Sequence, residues 1–595
     1  MLFLRIENKN SEPFAKPSNA VSAEFGDYRI AYLKDALYTF HSEKDSGILL
    51  GEAECCLDDG IVDDLMNSVA RPQPVLMSQG RHIFDFAYID KSKSELILSL
   101  SAYCCRPLYY FIGKDHIIVS THISKLKESG VTLEMENNVL PEFAVYRHIV
   151  PPRTLYRGVS KLTGGETLKI DLQSMQIIKR KTWSFHDGLD IEESADKRLE
   201  KIEDMLRQDL KELIGSFRKP GVLLSGGLDS TSLASIAREI KEDINSCSSS
   251  FSFLNKNDRE DDYALTASRE LNIDHSLFAA SPESYLISLV EAIHAAEEPV
   301  HHLQSALLYL LYQRLKPLEI DLLICGEGAD GIFGNDAHVR VFKYKSLLKS
   351  TRAFGVQQLF GKVVGRSLEK NERYGFFAYD FGKNLRSHRH FLWTLGQFAD
   401  IDLVKTSLNT TFEKILSNRI RLMRDYPEYS LLDMITIISL LSEAFESMTI
   451  WGKLAEANNI AITYPYTNPA IIHHVTSLPW EFKLKESKYV IRSLLRRRGI
   501  SGKIINRPKL SFGCPSQHWA LPGKLFQPLV DMAADMFDRE LLRSLQSSEI
   551  KRAMLLWNLV NIYLWHSIFI KNVSPGDLNS EILDRHKKAS NKKSG

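Results

Sequence analysis

The sequence is short of charge imbalance, of cysteine and of long apolar runs, and each shortage excludes a class of protein. Its 75 Lys and Arg residues meet 74 Asp and Glu, a formal net charge of +1. No overall field therefore draws the chain to nucleic acid or to an anionic membrane surface. Seven cysteines in 595 residues are too few for a secreted disulfide framework, and the adjacent pairs Cys55-Cys56 and Cys104-Cys105 lack the spacing of a zinc site. Reduced, buried thiols in a cytoplasmic protein are the expectation. No cysteine precedes Cys55. The opening MLFLRIENKN has no basic stretch leading into an apolar core, so no signal peptide is expected there. No apolar run approaches the ~20 residues of a membrane span. Internal repeats and low-complexity blocks are missing as well.

What is present is the composition of a folded globular protein, 44% hydrophobic and 25% charged. The length allows three or four average domains, or two when one is a large α/β unit. Up to about residue 190 the pattern is that of antiparallel strands. Ile83–Ile89 and Glu95–Leu100 flank a polar Lys91-Ser92-Lys93 turn; Leu108–Ile112 and Ile117–Ser120 flank Gly113-Lys114-Asp115. A third pair, Thr154–Leu162 with Thr167–Ile170, is expected to turn at Thr163-Gly164-Gly165. These closely spaced strands predict an α+β or sandwich domain over 1–190.

Beyond the acidic stretch 187–196 the period changes. Ile202, Leu206, Leu210 and Leu213 line one helix face, and strands at Val222–Leu224, Cys247–Phe253 and Asp321–Cys325 then alternate with helices. That alternation predicts a parallel sheet with helices on both faces over 191–580. The lysine- and serine-rich end, 581–595, reads as a disordered tail.

The apolar strand at Gly221–Leu224 breaks at Ser225-Gly226-Gly227 and resumes as a helix carrying Leu233, Ile236, Ala237 and Ile240. A strand turning through glycines into a helix leaves backbone N–H groups at the positive end of the helix dipole, a cradle for phosphate. Ser225 and Ser230 add hydroxyl donors, and Asp229 adds a carboxylate suited to Mg²⁺. No Gly-Lys-Ser/Thr follows, so the loop is not of the Walker type. A second strand, Leu322–Cys325, ends in Gly326-Glu327-Gly328-Ala329-Asp330. Ligands in open α/β sheets lie outside the carboxyl ends of the strands, so Asp229 and Asp330 are positioned to share one Mg²⁺–pyrophosphate.

Ser225-Gly226-Gly227-Leu228-Asp229-Ser230 resembles the pyrophosphate loop of the ATP-pyrophosphatases. With Arg106–Tyr110, Pro151–Val159, Glu298-Pro299-Val300, Lys488–Arg492 and Asn506–Pro515, nearly the whole chain is similar to the asparagine synthetase superfamily. The resemblance implies a class II glutamine amidotransferase-like N-terminal domain, an Ntn-type sandwich. It also implies a C-terminal synthetase domain of the adenine nucleotide α-hydrolase or PP-loop type. The implied activity is ATP-dependent amide-bond formation through an acyl-adenylate, with AMP and pyrophosphate released and ATP and Mg²⁺ required. By the same resemblance Ser225, Gly226, Gly227, Asp229 and Ser230 bind pyrophosphate, and Leu223, Phe251 and Gly326 line adenine and ribose. Asp229 and Asp330 hold Mg²⁺, Lys509 stands near the α-phosphate, and Glu327 is the acid beside the reacting amine. A fixed cation at Lys509 would stabilise charge that builds on phosphate oxygens.

The chain departs from the glutamine-hydrolysing members at its start. Those use an N-terminal cysteine thiolate; this sequence opens Met1-Leu2-Phe3, and Leu50-Gly51-Glu52 lacks the asparagine of the glutamine-holding turn. The glutaminase-like domain is therefore expected to have lost its ammonia source. Two branches without a glutaminase resemble the chain: β-lactam-type synthetases, which carry tyrosine at the Glu327 position, and lasso-peptide cyclases. The second branch implies a macrolactam joining a peptide's N-terminal amine to an Asp or Glu side chain, with a leader-binding protein and a leader peptidase as partners. An ammonia-dependent asparagine synthetase, another small-molecule amidotransferase and a non-catalytic scaffold are the competing readings. Ala461, Thr463 and Asn468 stand where asparagine synthetases carry acid, arginine and aspartate. The helical stretch 337–460 offers room for a wider pocket.

Overall fold

The computed structural model describes residues 2–9, 20–33, 39–53, 84–101, 106–182, 194–251, 261–334, 338–339, 342–343, 396–426, 429–507 and 516–591. Among the described residues the N-terminal part has twelve strands. They are β1 (Phe3–Asn8), β2 (Val21–Phe25), β3 (Tyr28–Tyr32), β4 (Thr39–Lys44), β5 (Gly47–Ala53), β6 (Phe84–Asp90), β7 (Glu95–Ser99), β8 (Tyr109–Ile112), β9 (His116–Ser120), β10 (Val159–Lys161), β11 (Thr167–Asp171) and β12 (Gln176–Lys181). They form two six-stranded antiparallel sheets, ordered β10-β8-β9-β1-β3-β2 and β12-β11-β7-β6-β5-β4. Alternate residues such as Leu168 and Ile170 of β11 point inward. With Leu4, Ile6, Ile30, Ile89, Leu98 and Val119 from both sheets they build one apolar layer, as expected of two sheets packed face to face.

Two of the three expected hairpins, β6–β7 and β8–β9, are present. The third is not: β10 pairs with β8 and β11 with β7, in different sheets. The glycine-containing stretch is a crossing. Gly165, at φ +75°, gives its N–H to Ser101 O at 3.0 Å, and Leu100 N–H reaches Glu166 O at 3.0 Å. The Glu166 carboxylate accepts Thr163 N–H at 2.9 Å and is paired with Arg180. These contacts hold the segment against the second sheet before β11 begins.

The C-terminal part carries a five-stranded parallel sheet of β13 (Pro220–Leu223), β14 (Asn245–Phe251), β15 (Asp274–Ala280), β16 (Leu322–Ile324) and β17 (Ala461–Thr463), ordered β15-β14-β13-β16-β17. The expected helices are there: Ala195–Ser216 capped by Ser194, Leu228–Ile240, Asp261–Leu271 and Gln304–Leu315. β15 and β17 had no sequence signal. The first is a mostly half-exposed edge strand and the second only three residues long, so neither shows an apolar run. Strand order reverses between β13 and β16, and both strands end beside each other there. The fold thus places a topological switch point between the two glycine-rich loops.

The tail prediction is corrected. A helix runs Pro575–Asn591, started by Ser574 Oγ accepting Asp577 N–H at 3.1 Å. Leu578 and Ile582, four residues apart, are buried on it. That one-sided stripe was hidden within a lysine-rich composition. A continuous helix, Leu432–Glu456, has the length and mean hydropathy (1.2) of a membrane span, but 89% of its apolar window is buried inside the fold. Its apolarity is that of a core helix. Most of the expected pocket-widening stretch, 337–460, lies outside the described residues until residue 396.

The two parts are stitched through polar groups. The Glu297 carboxylate accepts the N–H groups of Ile123 (2.8 Å) and Ser124 (3.0 Å) at the start of helix Ile123–Glu128, and Lys453 Nζ at 2.5 Å. Burial pushes this acid upward, yet Lys453, His122 and the hydrogen bonds hold it down at about 2. Lys161 Nζ reaches Glu446 at 3.0 Å and Glu298 at 3.3 Å, all three side chains more than 90% buried. Tyr156 donates to Glu297 O and accepts from Trp565 Nε1 at 2.8 Å.

Glu142, fully buried on helix Leu140–Tyr146, accepts Val150 N–H at 3.0 Å and Asn418 Nδ2 at 2.5 Å. Burial outweighs these donors and raises its carboxyl from the ordinary 4.5 to about 7. A folded-state value above the unfolded one means that the native protein binds the proton more tightly. Stability therefore falls as pH rises from about 4.5 to 7. The size is about 3 kcal/mol from the shift alone. Glu142→Gln is expected to flatten thermal midpoints across that window, with Asn418 turning its amide to accept; an unchanged slope would remove Glu142 as its source.

Candidate active site

The loop after β13 is built by its own hydroxyls. Ser225 N–H reaches Ser230 Oγ at 3.2 Å, the two hydroxyls lie 3.1 Å apart, and Gly227 N–H reaches Ser225 Oγ at 3.2 Å. The helix Leu228–Ile240 begins at Gly227 with no side-chain cap, so its first backbone N–H groups are available to an anion. The structure revises the reason for Gly226. It sits at φ +68°, and a Cβ there would lie 2.2 Å from the Tyr263 carbonyl carbon. The glycine is required by helix Asp261–Leu271 behind the loop, before any phosphate is considered. Gly226→Ala is expected to cost about 1–3 kcal/mol of strain, read as a lower thermal midpoint; an unshifted melt would show that the loop relaxes freely.

The loop after β16 packs directly on this helix start: a Cβ on Gly326 would meet Ser230 N at 3.0 Å and Asp229 at 3.1 Å. Asp229 and Asp330 are brought together as expected, but around a lysine. Lys488 Nζ pairs with Asp229 Oδ2 and lies 2.9 Å from Asp330 Oδ1. Burial works against its charge, and the two carboxylates more than compensate, holding the ammonium well above its ordinary value. The backbone carries it there: Lys488 is at φ 55° before helix Tyr489–Arg497, its N–H on Gly334 O at 3.1 Å. Tyr466 Oη donates to Asp229 O at 3.0 Å, fixing the same helix turn from β17's side.

Glu327 lies beside this cluster with its carboxyl raised to about 7. Desolvation is the main cause, and the charges of Asp330, Glu443 and Asp229 add to it against Lys488. A carboxyl poised there can exchange a proton near neutral pH. Leu223, the last residue of β13, and Gly326, two residues past β16, are half-exposed. Phe251 is not. It is 1% exposed and packs edge-on against Tyr285 and Trp519, with ring centroids 5.4 and 5.0 Å away. Its ring belongs to an aromatic core. Lys509 lies outside the described residues, while Arg507, just before it, has its guanidinium 3.5 Å from Ser225 O and over the Tyr263 ring.

Residues 201–567 match the asparagine synthase family, more than half of the sequence. The chain belongs to the asparagine synthase family. Residues 65–183 match a glutamine amidotransferase domain. The chain is 20% identical over 575 residues to asparagine synthetase (glutamine-hydrolysing) 1 of Bacillus subtilis, covering 91% of this chain and 84% of that one. It is 23% identical over 530 residues to a Mycobacterium tuberculosis protein provisionally named a glutamine-hydrolysing asparagine synthetase, covering 83% and 77%. Among solved structures, an NH₃-dependent NAD synthetase from Campylobacter jejuni matches 39% of this chain and 94% of its own at 17% identity, with a TM-score of 0.18.

Membership makes the protein an ATP-dependent carbon–nitrogen ligase with a carboxylate and a nitrogen substrate. The family's carboxylate pair fits Mg²⁺ in kind: two hard oxygen donors converge on one point, already marked by the Lys488 ammonium. Sequence reasoning missed Lys488 as a site residue, although the Lys488–Arg492 stretch was legible. Its distance of 259 positions from Asp229 left no local signal. Asn468, one of the departures from asparagine synthetases, caps helix Pro469–Ser477 and gives its Nδ2 to Asp209 at 2.5 Å. Cys247 and Cys325 are buried free thiols, pushed up to about 12 by burial, as expected of inert structural cysteines.

Proposed function

We propose that the protein is a macrolactam synthetase of the lasso-peptide type, which activates an Asp or Glu side chain of a peptide and closes it onto the peptide's own N-terminal amine. The observation that carries this reading is the Asp229–Lys488–Asp330 cluster beside a glutaminase-type sandwich whose central strand opens on Leu2. Leu2 is 3% exposed, its N–H is on Thr121 Oγ1 at 3.2 Å and its side chain lies in the sandwich core. Leu2 leads into the strand that enters the sandwich core, which supports an amine supplied by the substrate itself. Glutamic acid at 327, where the β-lactam branch has tyrosine, favours the peptide branch.

In this reading the substrate carboxylate attacks the α-phosphorus of ATP, pyrophosphate leaves, and the amine then displaces AMP from the acyl-adenylate. The N–H groups at Gly227 and the start of its helix, with Ser225 and Ser230, hold the departing pyrophosphate. Asp229 and Asp330 would hold Mg²⁺, which supplies charge neutralisation on that leaving group when bound. Lys488 fixes both carboxylates, and Lys509 is assigned to the α-phosphate. Glu327 takes the proton that the attacking amine loses. Holding amine and acyl-adenylate of one peptide side by side makes the closing step unimolecular. A leader-binding protein and a leader peptidase are the proposed partners.

The test supplies ATP and Mg²⁺ with either a leader-cleaved precursor peptide or aspartate plus ammonium. AMP formation with loss of one water from the peptide is expected. Asparagine formation, with the peptide unchanged, would replace this reading by an ammonia-dependent asparagine synthetase. AMP formation from neither would favour the scaffold.

A further inference from the structure

Two adjacent histidines and a carboxylate from a distant part of the chain converge. His301 and His302 follow the Glu297-Glu298-Pro299-Val300 turn, and Glu443 comes from a π-helical segment, Ser439–Ala444, inside the long buried helix. One ligand atom from each lies within 4.8 Å of the others. π-Turns within α-helices cost regular hydrogen bonding and concentrate at functional sites; this one shifts the register at which Glu443 leaves the helix. We propose that His301, His302 and Glu443 bind a divalent transition-metal ion of the zinc class, at the Glu327 side of the ligase cleft.

The surroundings of His301 support a ligand role. His301 Nδ1 lies 3.4 Å from the Arg147 carbonyl, which is presented by a residue at φ 64°. Donation from Nδ1 leaves the Nε2 lone pair free, as in metal-bound histidines whose other nitrogen is held by a carbonyl. His301 Nε2 is fully buried with no hydrogen-bond partner among the described residues, a costly state for a polar atom that a metal would relieve. The two rings meet edge to face, 4.1 Å between centroids, with Trp451 and Phe398 around His302. Burial first, and then the Arg147 charge, hold His301 well below its ordinary value; burial and His301 do the same to His302. The Arg147 Cζ lies over the Phe398 ring, 3.2 Å from the centroid.

Two imidazoles and one carboxylate form a three-ligand zinc set that leaves a fourth position open to water or substrate. With bonds of about 2.0–2.1 Å, tetrahedral ligands stand about 3.4 Å apart, so side-chain rotation of the order of an ångström closes the site. Glu443 is also one of the charges felt by Glu327, so the proposed ion would lie on the Glu327 side of the site.

The test uses the full-length, chelator-stripped protein with Co²⁺ as a spectroscopic probe and Zn²⁺ as competitor. One equivalent of Co²⁺ with the strong visible absorption of a low-coordinate nitrogen–oxygen site is expected, displaced by Zn²⁺. His302→Ala and Glu443→Gln are expected to weaken binding by at least the ~10–100-fold typical of losing an outer-shell partner. Asp229→Asn, in the phosphate cluster, is expected to leave the spectrum unchanged. Metal-free thermal melts of the variants separate loss of a ligand from loss of fold, and wild type alone is expected to gain stability from Zn²⁺. Absence of stoichiometric Co²⁺ on folded wild type would overturn the site, as would an unchanged spectrum in both His302→Ala and Glu443→Gln.

Discussion

Lys488→Met is expected to lower ATP-dependent pyrophosphate release by at least about 100-fold, the loss seen when one preorganised group facing transition-state charge is removed. The ammonium holds Asp229 from the β13 loop and Asp330 from the β16 loop on one point. Without it, two carboxylates and Glu327 face one another across the switch point with no cation between them. Folding suffers less. Asp229 and Asp330 keep 23% and 40% of their side-chain surface, so water screens the orphaned charges. The distinguishing measurement pairs pyrophosphate release with thermal melting: a large loss of turnover at a modest shift in midpoint. Turnover within a few-fold of wild type would show that the lysine is structural ballast.

Lys161→Met is expected to do the reverse and destabilise the fold by about 3–5 kcal/mol, because it strands charge in a buried site. Glu298 and Glu446 share this lysine at the joint between sandwich and ligase domain, and neither partner exceeds 9% side-chain exposure. The neighbouring carboxylate and burial already raise Glu446 to about 7 even with the lysine present. The charge-balanced double variant Lys161→Met/Glu446→Gln is expected to recover part of the loss, a coupling that a double-mutant cycle measures. Additive losses would mean that the three groups do not act as one cluster.

The contrast explains what was legible in advance. Hairpins β6–β7 and β8–β9, the parallel alternation and both glycine loops were visible because each is a local pattern: a period of two, a period near four, or a turn. The Thr163–Glu166 crossing failed as a hairpin because its partners, Ser101 and Arg180, lie elsewhere in the chain. The packing of the Phe251 ring on Tyr285 and Trp519 was illegible because strand position does not reveal which aromatics surround it. The tail failed because a lysine-rich composition concealed Leu578 and Ile582.

By itself, the sequence determined the family and the two glycine turns that follow β13 and β16, since backbone turns and apolar periods are set by near neighbours. Tertiary structure alone decided that Lys488 joins the two carboxylates, that Glu297 and Lys161 bind one domain to the other, and that His301, His302 and Glu443 meet. Those contacts join residues more than a hundred positions apart. Chain folding brings such groups within a few ångströms, where low dielectric makes their charges matter.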